Sequence, residues 1–175
     1  MLKVNTGILS LYVVGIVCGS LESINIPDSV TEIYNWAFEE CSGLTSITLG
    51  NGVTSIGDYA FSDCTGLKSV NLGNGVQTIG NGAFATCTGL TSITIPDGVT
   101  SIGDSAFYYC TGLTSITIPD SVTTIYGSAF MYCESLTSIT FEGTVEQWKA
   151  ISWGGYYDHG ALRVECSDGT ITIKG

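Results

Sequence analysis

A repeat of 23 residues constrains the fold of this chain more than any other feature of its sequence. Each unit begins with a leucine: Leu21, Leu44, Leu67, Leu90 and Leu113, while Leu136 opens a sixth unit that soon departs from the pattern. Phenylalanine and cysteine keep the same step, at Phe38, Phe61, Phe84, Phe107 and Phe130 and at Cys18, Cys41, Cys64, Cys87, Cys110 and Cys133. A fixed period of this length, held over several copies, is typical of a solenoid or a related repeat array.

The first half of each unit predicts a short strand and a turn. In the unit 90–112, apolar residues occur at Leu90, Ile93 and Ile95, with polar residues between the two isoleucines and before them. This spacing and the β-branched residues favour a strand. The Pro-Asp-Gly stretch at 96–98 follows, and these residue types favour a turn.

The second half of each unit brings the chain back to the core. We expect a short helical or 3₁₀ stretch from Gly103, with Cys110 closing the coil. Eight side chains per unit would then point inward: Leu90, Ile93, Ile95, Val99, Ile102, Ala106, Phe107 and Cys110. One coil cannot bury this face alone, but stacked coils can, with parallel strands about 4.8 Å apart. We therefore predict a right-handed solenoid with one parallel sheet on one face and short strands and helical or 3₁₀ turns on the other.

The unit resembles the BspA-like leucine-rich repeats, which occur mainly in surface proteins of gut and oral bacteria and in some protozoa. The pattern Leu-x-x-Ile-x-Ile-Pro-Asp-x-Val-x-x-Ile-x-x-x-Ala-Phe-x-x-Cys is similar to that family over residues 21–140. FEGTVEQWKAISWGG and VECSDGTI are similar to its closing segment. The resemblance implies a leucine-rich-repeat fold and an extracellular or cell-surface, non-enzymatic protein, with adhesion to host matrix proteins in some members. It supplies no binding residues.

The C-terminal segment 141–175 is predicted to cap the solenoid. Thr144 and Gln147 have the spacing of a capping box, with Thr144 as the N-cap of a helix over 144–151. Asp168-Gly169 between alternating residues indicates a β-hairpin over 162–174. Trp148 and Trp153 are expected to pack on the last full coil, and a cap of this kind shields the open end of the core.

Two interpretations of residues 1–20 remain open. The stretch GILSLYVVGIVCG is too short to span a membrane as a helix. It has the apolar character of a signal peptide, with Val17 and Gly19 as small residues near a cleavage site. It also keeps Cys18 and Leu21 in step with the later units, which favours a degenerate first repeat and a chain that is part of a longer surface protein.

The charge balance excludes two classes of partner. Acidic residues outnumber basic residues 16 to 5, for a formal net charge of −11 and an isoelectric point near 4.1. The basic residues are scattered along the chain, at Lys3, Lys68, Lys149, Arg163 and Lys174. Such a protein repels nucleic acids and anionic membranes. With 44% apolar residues, the chain also has enough apolar surface to form a core.

The cysteines are predicted to form a column of buried free thiols. Neighbouring members of such a column are close enough for a disulfide by distance alone. In stacked coils, however, the side chains point side by side, and a disulfide requires the two Cβ atoms to approach each other. A 23-residue step matches no zinc-binding spacing. Cys166, on the expected hairpin, is the seventh cysteine.

No catalytic, metal or cofactor site is predicted. His159 is the only histidine, next to Asp158, and a pair with Cys166 is conceivable. An exposed loop histidine without a role is the better interpretation. The turn aspartates Asp28, Asp97 and Asp120 suggest calcium only weakly, because the equivalent residues of the other units are Asn51 and Asn74. They are better interpreted as turn formers.

One group of residues is a candidate binding surface: Tyr108, Tyr109, Met131 and Tyr132, which occupy equivalent positions between the phenylalanine and the cysteine of adjacent units. Tyrosine is enriched in binding sites. Alternatively, the helix with Trp148 or the loop with Tyr156 and Tyr157 covers these residues as part of the cap. The favoured function is a monomeric interaction module that adheres to a protein or a glycan, and the alternative is a structural spacer of a larger surface protein. An enzyme is a distant third.

Overall fold

The structure, a computed structural model, describes residues 10–11, 20–154 and 162–173. Five successive coils of 23 residues (21–43, 44–66, 67–89, 90–112 and 113–135) stack on one another, followed by the C-terminal segment. Each full coil has three sides, which we call the first wall, the second wall and the turn wall. The predicted solenoid fold is therefore confirmed.

The first two walls are built from short parallel strands. The first wall contains β2 (Ser23–Ile26), β4 (Ser46–Leu49), β6 (Ser69–Asn71), β8 (Ser92–Thr94), β10 (Ser115–Ile118) and β12 (Ser138–Phe141). The second wall contains β1 (Ser10–Leu11), β3 (Glu32–Ile33), β5 (Ser55–Ile56), β7 (Thr78–Ile79), β9 (Ser101–Ile102), β11 (Thr124–Tyr126) and β13 (Ser152–Gly154), which pair in that order as one sheet. Equivalent residues pair from coil to coil, as in Ser46 with Ser69 and Ile56 with Ile79. The 23-residue period is thus the period of the strand register.

The expectation of a single sheet on the first wall is wrong at one junction. This wall divides into β2–β4–β6 and a second sheet that begins at β8, so no strand pairing joins the third coil (67–89) to the fourth (90–112) here. At three other junctions the residue after the leucine donates to the preceding coil: Thr45 N–H to the Glu22 carbonyl at 2.8 Å, Lys68 N–H to the Thr45 carbonyl at 2.9 Å and Thr114 N–H to the Thr91 carbonyl at 2.9 Å. The equivalent bond from Thr91 to Lys68 is not formed. We call this gap the seam.

Asn71 and Gly73 explain the seam. The Asn71 side chain accepts a hydrogen bond from the Gly73 N–H at 3.1 Å, and Gly73 has a φ of +64°. This local turn ends β6 early, since side-chain bonds of asparagine to the nearby backbone compete with strand pairing. As a result, the third and fourth coils are not paired on the first wall. At the tip of the turn, a Cβ on Gly75 would overlap the Asn51 carbonyl, whereas one on Gly98 would lie 3.8 Å from the Asn74 carbonyl across the seam. Next to the tip the coils stay close, since the Gly98 Cβ would lie 2.9 Å from the Val76 carbonyl.

The predicted core is confirmed in the described coils. In the fourth coil the eight inward side chains are all buried, with exposed fractions between 0% and 4%. The phenylalanines form a continuous stack through the centre, with ring centroids 5.2 to 5.6 Å apart and nearly parallel planes from Phe38 to Phe130. Because each ring contacts the ring before and the ring after it, the core has no boundary between coils.

The turn wall consists of consecutive turns where a short helical or 3₁₀ stretch was expected. Two positions per coil have a positive φ, for example Tyr59 at 55° and Asp63 at 59° in the second coil. A left-handed residue interrupts a right-handed helix. The freed N–H groups bond across the coils instead, as from Phe61 to the Ala83 carbonyl at 2.8 Å.

The C-terminal segment continues two walls of the solenoid. Helix α1 (Val145–Ala150) begins after Thr144, and both capping-box hydrogen bonds between Thr144 and Gln147 are present. Strand β14 (Leu162–Cys166) pairs with β12 and forms an antiparallel hairpin with β15 (Gly169–Ile173). Trp148 is buried and packs edge-on against Phe141 and Trp153, at centroid distances of 5.3 and 5.2 Å. These contacts cover the last coil.

Several sequence-based expectations lie outside the described residues. They include the choice between a signal peptide and a degenerate repeat for most of residues 1–20, although Ser10–Leu11 pairs with Glu32–Ile33 of the second wall. Asp158, His159 and the loop tyrosines Tyr156 and Tyr157 also lie outside them.

Candidate functional site

The cysteine column forms a chain of buried donors. The thiols of Cys64, Cys87, Cys110 and Cys133 are free, and each donates a hydrogen bond to the carbonyl of the phenylalanine one coil earlier at 3.0 to 3.2 Å. Burial raises the pKa of the Cys64 and Cys133 thiols to about 12 and raises the pKa of Cys87 and Cys110 well above the ordinary value. Thiols that stay protonated are poor nucleophiles and poor metal ligands. These four residues therefore belong to the core.

Cys41 differs from these four residues. It takes part in a disulfide, so the prediction of a column made wholly of free thiols is wrong at this position. The neighbouring thiols follow the prediction because their Sγ atoms are directed to backbone carbonyls and not to one another. Cys166 is a half-buried free thiol on β14, and burial raises its pKa as well.

Two columns of asparagine and aspartate stabilise the turns between coils. Asp28 and Asn51 accept hydrogen bonds from the N–H of the equivalent residue one coil later, at 2.7 and 2.9 Å. In a second column, Asn35, Asp58 and Asn81 do the same at 2.7 to 2.9 Å. Asp104 ends this column and accepts from the Ser128 N–H at 2.9 Å. Within the described ranges, no group of three or more histidine, cysteine or acidic side chains is arranged to hold a metal ion. Asp28 therefore acts as a turn former.

The predicted binding residues lie together on the turn wall. The ring centroids of Tyr108 and Tyr132 are 5.4 Å apart and those of Tyr109 and Tyr132 are 6.2 Å apart, both with edge-on geometry. Tyr109 and Tyr132 are each 45% exposed, and Tyr108 and Met131 are half-buried. We call these four residues the tyrosine patch. Edge-on contacts of this kind favour a fixed arrangement of the rings.

The tyrosine patch lies at one end of a regular row of side chains. Glu40, Asp63, Thr86, Tyr109 and Tyr132 occupy the same position in successive coils, with φ between 58° and 60°. We call this row the ridge. The N–H groups of its first four residues donate to carbonyls of the next coil at 2.7 to 2.9 Å. Since neighbouring coils are about 4.8 Å apart, the ridge presents side chains at regular intervals on a fixed backbone.

Three other exposed aromatic residues were not singled out by the sequence analysis: Trp36, Tyr59 and Tyr126, with exposed fractions of 55%, 40% and 49%. The Trp36 and Tyr59 rings are parallel, with centroids 6.4 Å apart. The Tyr59 ring lies over Gly82, the equivalent residue of the next coil, where any Cβ would collide with it. The sequence could have indicated the contact between Trp36 and Tyr59, because positions 36, 59 and 82 are separated by the 23-residue step.

A polar cleft of about 680 Å³ lies at the seam. Its walls include the turn residues of the third and fourth coils, and its polar side chains include Asn71, Asn74, Asp97 and Glu142. The first column of turns ends here, because the Asp97 N–H does not donate a hydrogen bond to the Asn74 side chain. No aromatic side chain lines this cleft.

Among the described residues, no helix is long and apolar enough to cross a membrane. The chain resembles several solved structures. It is 39% identical to a leucine-rich cell-surface protein of Faecalibacterium prausnitzii, with a TM-score of 0.73, covering 79% of this chain and 35% of that one. It is 27% identical to the leucine-rich repeat protein of T. pallidum, with a TM-score of 0.67 and coverage of 75% and 68%.

A third leucine-rich repeat protein, from Eubacterium ventriosum, is 29% identical, with a TM-score of 0.65 and coverage of 72% and 33%. The chain therefore spans about a third of the length of two of these proteins. No match is found among curated proteins. The BspA type leucine-rich repeat region matches residues 16–137 in six copies. With most of its length matched, the chain belongs to the BspA-type leucine-rich-repeat family.

Proposed function

We propose that this chain is a cell-surface interaction module that binds a protein partner through the tyrosine patch. The observation that carries the proposal is the cluster of three contacting tyrosine rings on the turn wall, two of them 45% exposed. Tyrosine brings a large rigid ring and a polar hydroxyl to an interface, and ordering it costs little conformational entropy. The first wall instead presents small serine and threonine side chains, such as Ser92 and Thr94.

The backbone under the tyrosine patch supports the same proposal. The Tyr109 N–H is bonded to the Met131 carbonyl at 2.9 Å, and the Thr86 N–H to the Tyr108 carbonyl at 2.7 Å. A surface that is already ordered loses little freedom on association, and this favours affinity. The surface location in the proposal follows the F. prausnitzii protein, which is described as a cell-surface protein.

Binding to purified matrix proteins tests the proposal. The chain is immobilised, and fibronectin, laminin and collagen are passed over it in a concentration series. The test variant is Tyr109→Asn with Tyr132→Asn, because asparagine tolerates the left-handed backbone of both positions. Removing two central aromatic residues should weaken saturable binding by at least roughly tenfold, the effect of about 1.4 kcal/mol.

Tyr126→Asn is the matched control, since Tyr126 is as exposed as the patch tyrosines but lies on the second wall. It should leave both the affinity and the melting temperature unchanged. Equal loss of binding in the control and the double variant would refute a role for the tyrosine patch. Absence of saturable binding to all three proteins would favour a spacer over an interaction module.

A further inference from the structure

The two ends of the ridge differ in chemistry. Its first two residues are Glu40 and Asp63, with Glu39 beside them, and its last two are Tyr109 and Tyr132. Thr86, in the middle, carries neither a charge nor a ring, and its neighbour Ala85 is buried. One continuous surface therefore changes from acidic to aromatic along the solenoid axis.

Among the described residues, Glu39, Glu40 and Asp63 form no salt bridge, and neither does the exposed Lys68. Lys149 and Arg163 pair with Glu146 and Glu165, at 2.8 and 3.2 Å, in the C-terminal segment. Burial, together with the charges of Glu40 and Asp63, raises the pKa of Glu39. Mutual repulsion of this kind is relieved when a cation binds, and long-range attraction to a basic partner also increases the rate of association.

We propose that the ridge binds an extended protein segment that carries basic residues next to aromatic residues. The basic residues contact Glu40 and Asp63, and the aromatic residues contact Tyr109 and Tyr132. This inference rests on the proposed function and adds the chemistry of the partner. Charge complementarity selects a basic segment at one end, and the exposed rings select an aromatic or otherwise apolar segment at the other.

The spacing of the ridge sets the spacing in the partner. Asp63 and Tyr109 are two coils apart, or about 10 Å at the parallel-strand distance, and Glu40 and Tyr132 are about 19 Å apart. An extended chain advances about 3.3 Å per residue, so roughly three to six residues connect the two contacts. Because the ridge backbone is held by hydrogen bonds between coils, this spacing is preset before the partner arrives.

Three fluorescein-labelled peptides test the proposal with the whole chain. The first has the sequence Lys-Lys-Arg-Ser-Thr-Ser-Phe-Tyr-Phe, the second has serine in place of its basic residues, and the third has serine in place of its aromatic residues. Fluorescence anisotropy measures the dissociation constants at low and high salt. We expect the first peptide to bind roughly tenfold or more tightly than either of the others, the equivalent of about 1.4 kcal/mol. Salt should weaken its binding because it screens the exposed charges.

Two double variants test the contributions of the two ends of the ridge to binding. Glu40→Gln with Asp63→Asn should reduce the affinity for the first peptide toward that of the second and reduce its salt dependence. Tyr109→Asn with Tyr132→Asn should reduce it to that of the third. Glu22→Gln, an exposed acidic residue on the first wall side, is the control and should change nothing.

The outcomes distinguish this inference from the proposed function. If the second peptide binds as tightly as the first and the acidic pair has no effect, the partner is not basic and this inference fails, while the tyrosine patch remains a binding surface. If the tyrosine pair has no effect on any peptide, both the inference and the role of the tyrosine patch fail. No measurable binding of the first peptide also overturns the inference, and binding of the matrix proteins then decides the proposed function alone.

Discussion

The left-handed residues of the turn wall are the least expected feature at the scale of single residues. Trp36, Tyr59, Tyr109 and Tyr132 all have φ between 55° and 60°, a region that costs an ordinary residue about 1–2 kcal/mol. Hydrogen bonds between coils offset this cost at Trp36, Tyr59 and Tyr109, since the N–H group of each donates to a carbonyl of the next coil at 2.8 to 2.9 Å. Tyr109 and Tyr132, the two exposed members of the tyrosine patch, are among these left-handed residues.

The phenylalanine stack gives the first prediction. The Phe84 ring lies between the rings of Phe61 and Phe107, at 5.3 and 5.6 Å, and is fully buried. Phe84→Ala should lower the free energy of unfolding by about 3–5 kcal/mol because it leaves a cavity in contact with two coils. Thr94→Ala, on the exposed face of β8, should cost far less. Urea denaturation measures both, and equal losses would contradict the assignment of inward and outward faces.

The buried thiols give a prediction about alkaline pH. In the unfolded chain they lose their protons above pH 9, whereas in the folded chain Cys64 and Cys133 keep theirs up to about pH 12. The unfolded state then binds fewer protons, so the free energy of unfolding should fall as the pH rises from 9 to 12, by up to about 1.4 kcal/mol per pH unit for each thiol. Denaturant midpoints measured across this range check the slope.

The double variant Cys87→Ala with Cys110→Ala is the control for the change in the free energy of unfolding with pH. It removes two of the four buried thiols and should reduce the pH dependence, whatever its effect at neutral pH. All other groups are the same in both proteins, so their contribution to the slope cancels in the difference. An identical slope in both proteins would show that the buried thiols do not titrate differently in the folded chain.

At the scale of the strands, the three walls of the third coil differ in how firmly they join it to the fourth coil. The second wall is paired through Thr78 with Ser101 and Ile79 with Ile102. The turn wall is bonded from Phe84 to Ala106 at 2.8 Å. On the first wall the seam replaces the pairing, and Val70 is half-exposed where Ile47 and Ile93 are buried.

Hydrogen exchange should detect the seam. The Thr91 N–H should exchange faster than its equivalents at Lys68 and Thr114, which are bonded to the preceding coil. Asn71→Thr removes the side-chain bond to Gly73 and introduces the residue type found at Thr48, Thr94 and Thr117. It should slow exchange at Thr91 by roughly fivefold, the effect of one added hydrogen bond of about 1 kcal/mol. Equal protection at all three positions before the substitution would contradict a break in the wall.

At the scale of the whole molecule, the repeat predicted most of what the coils share. The period located the strands and the inward residues, because the same burial requirement applies to every copy. Features confined to one coil were not predicted. The seam depends on one asparagine side chain bonding to its own turn, and the stacking of Trp36 on Tyr59 depends on Gly82 leaving space in the next coil. Neither is visible in an average over the units.

The tyrosine patch was predicted as a group because its members have equivalent positions in adjacent units. Its exposure could not be predicted, since the alternative of a covering cap depends on long-range packing. The contrast between the acidic and aromatic ends of the ridge is visible in the sequence once the positions are aligned at the 23-residue step. That these positions form one row of side chains follows from the left-handed backbone that they share. Residue types such as glutamate and tyrosine do not predict this backbone conformation.

The seam also determines how the solenoid responds to mechanical load. A force along the solenoid axis is borne by the contacts between successive coils. At most described junctions both strand walls and the turn wall share that force. Between the third and fourth coils the first wall contributes no strand pairing. Tension along the axis would therefore open the molecule first on this side, with the second wall and the turn wall acting as the pivot.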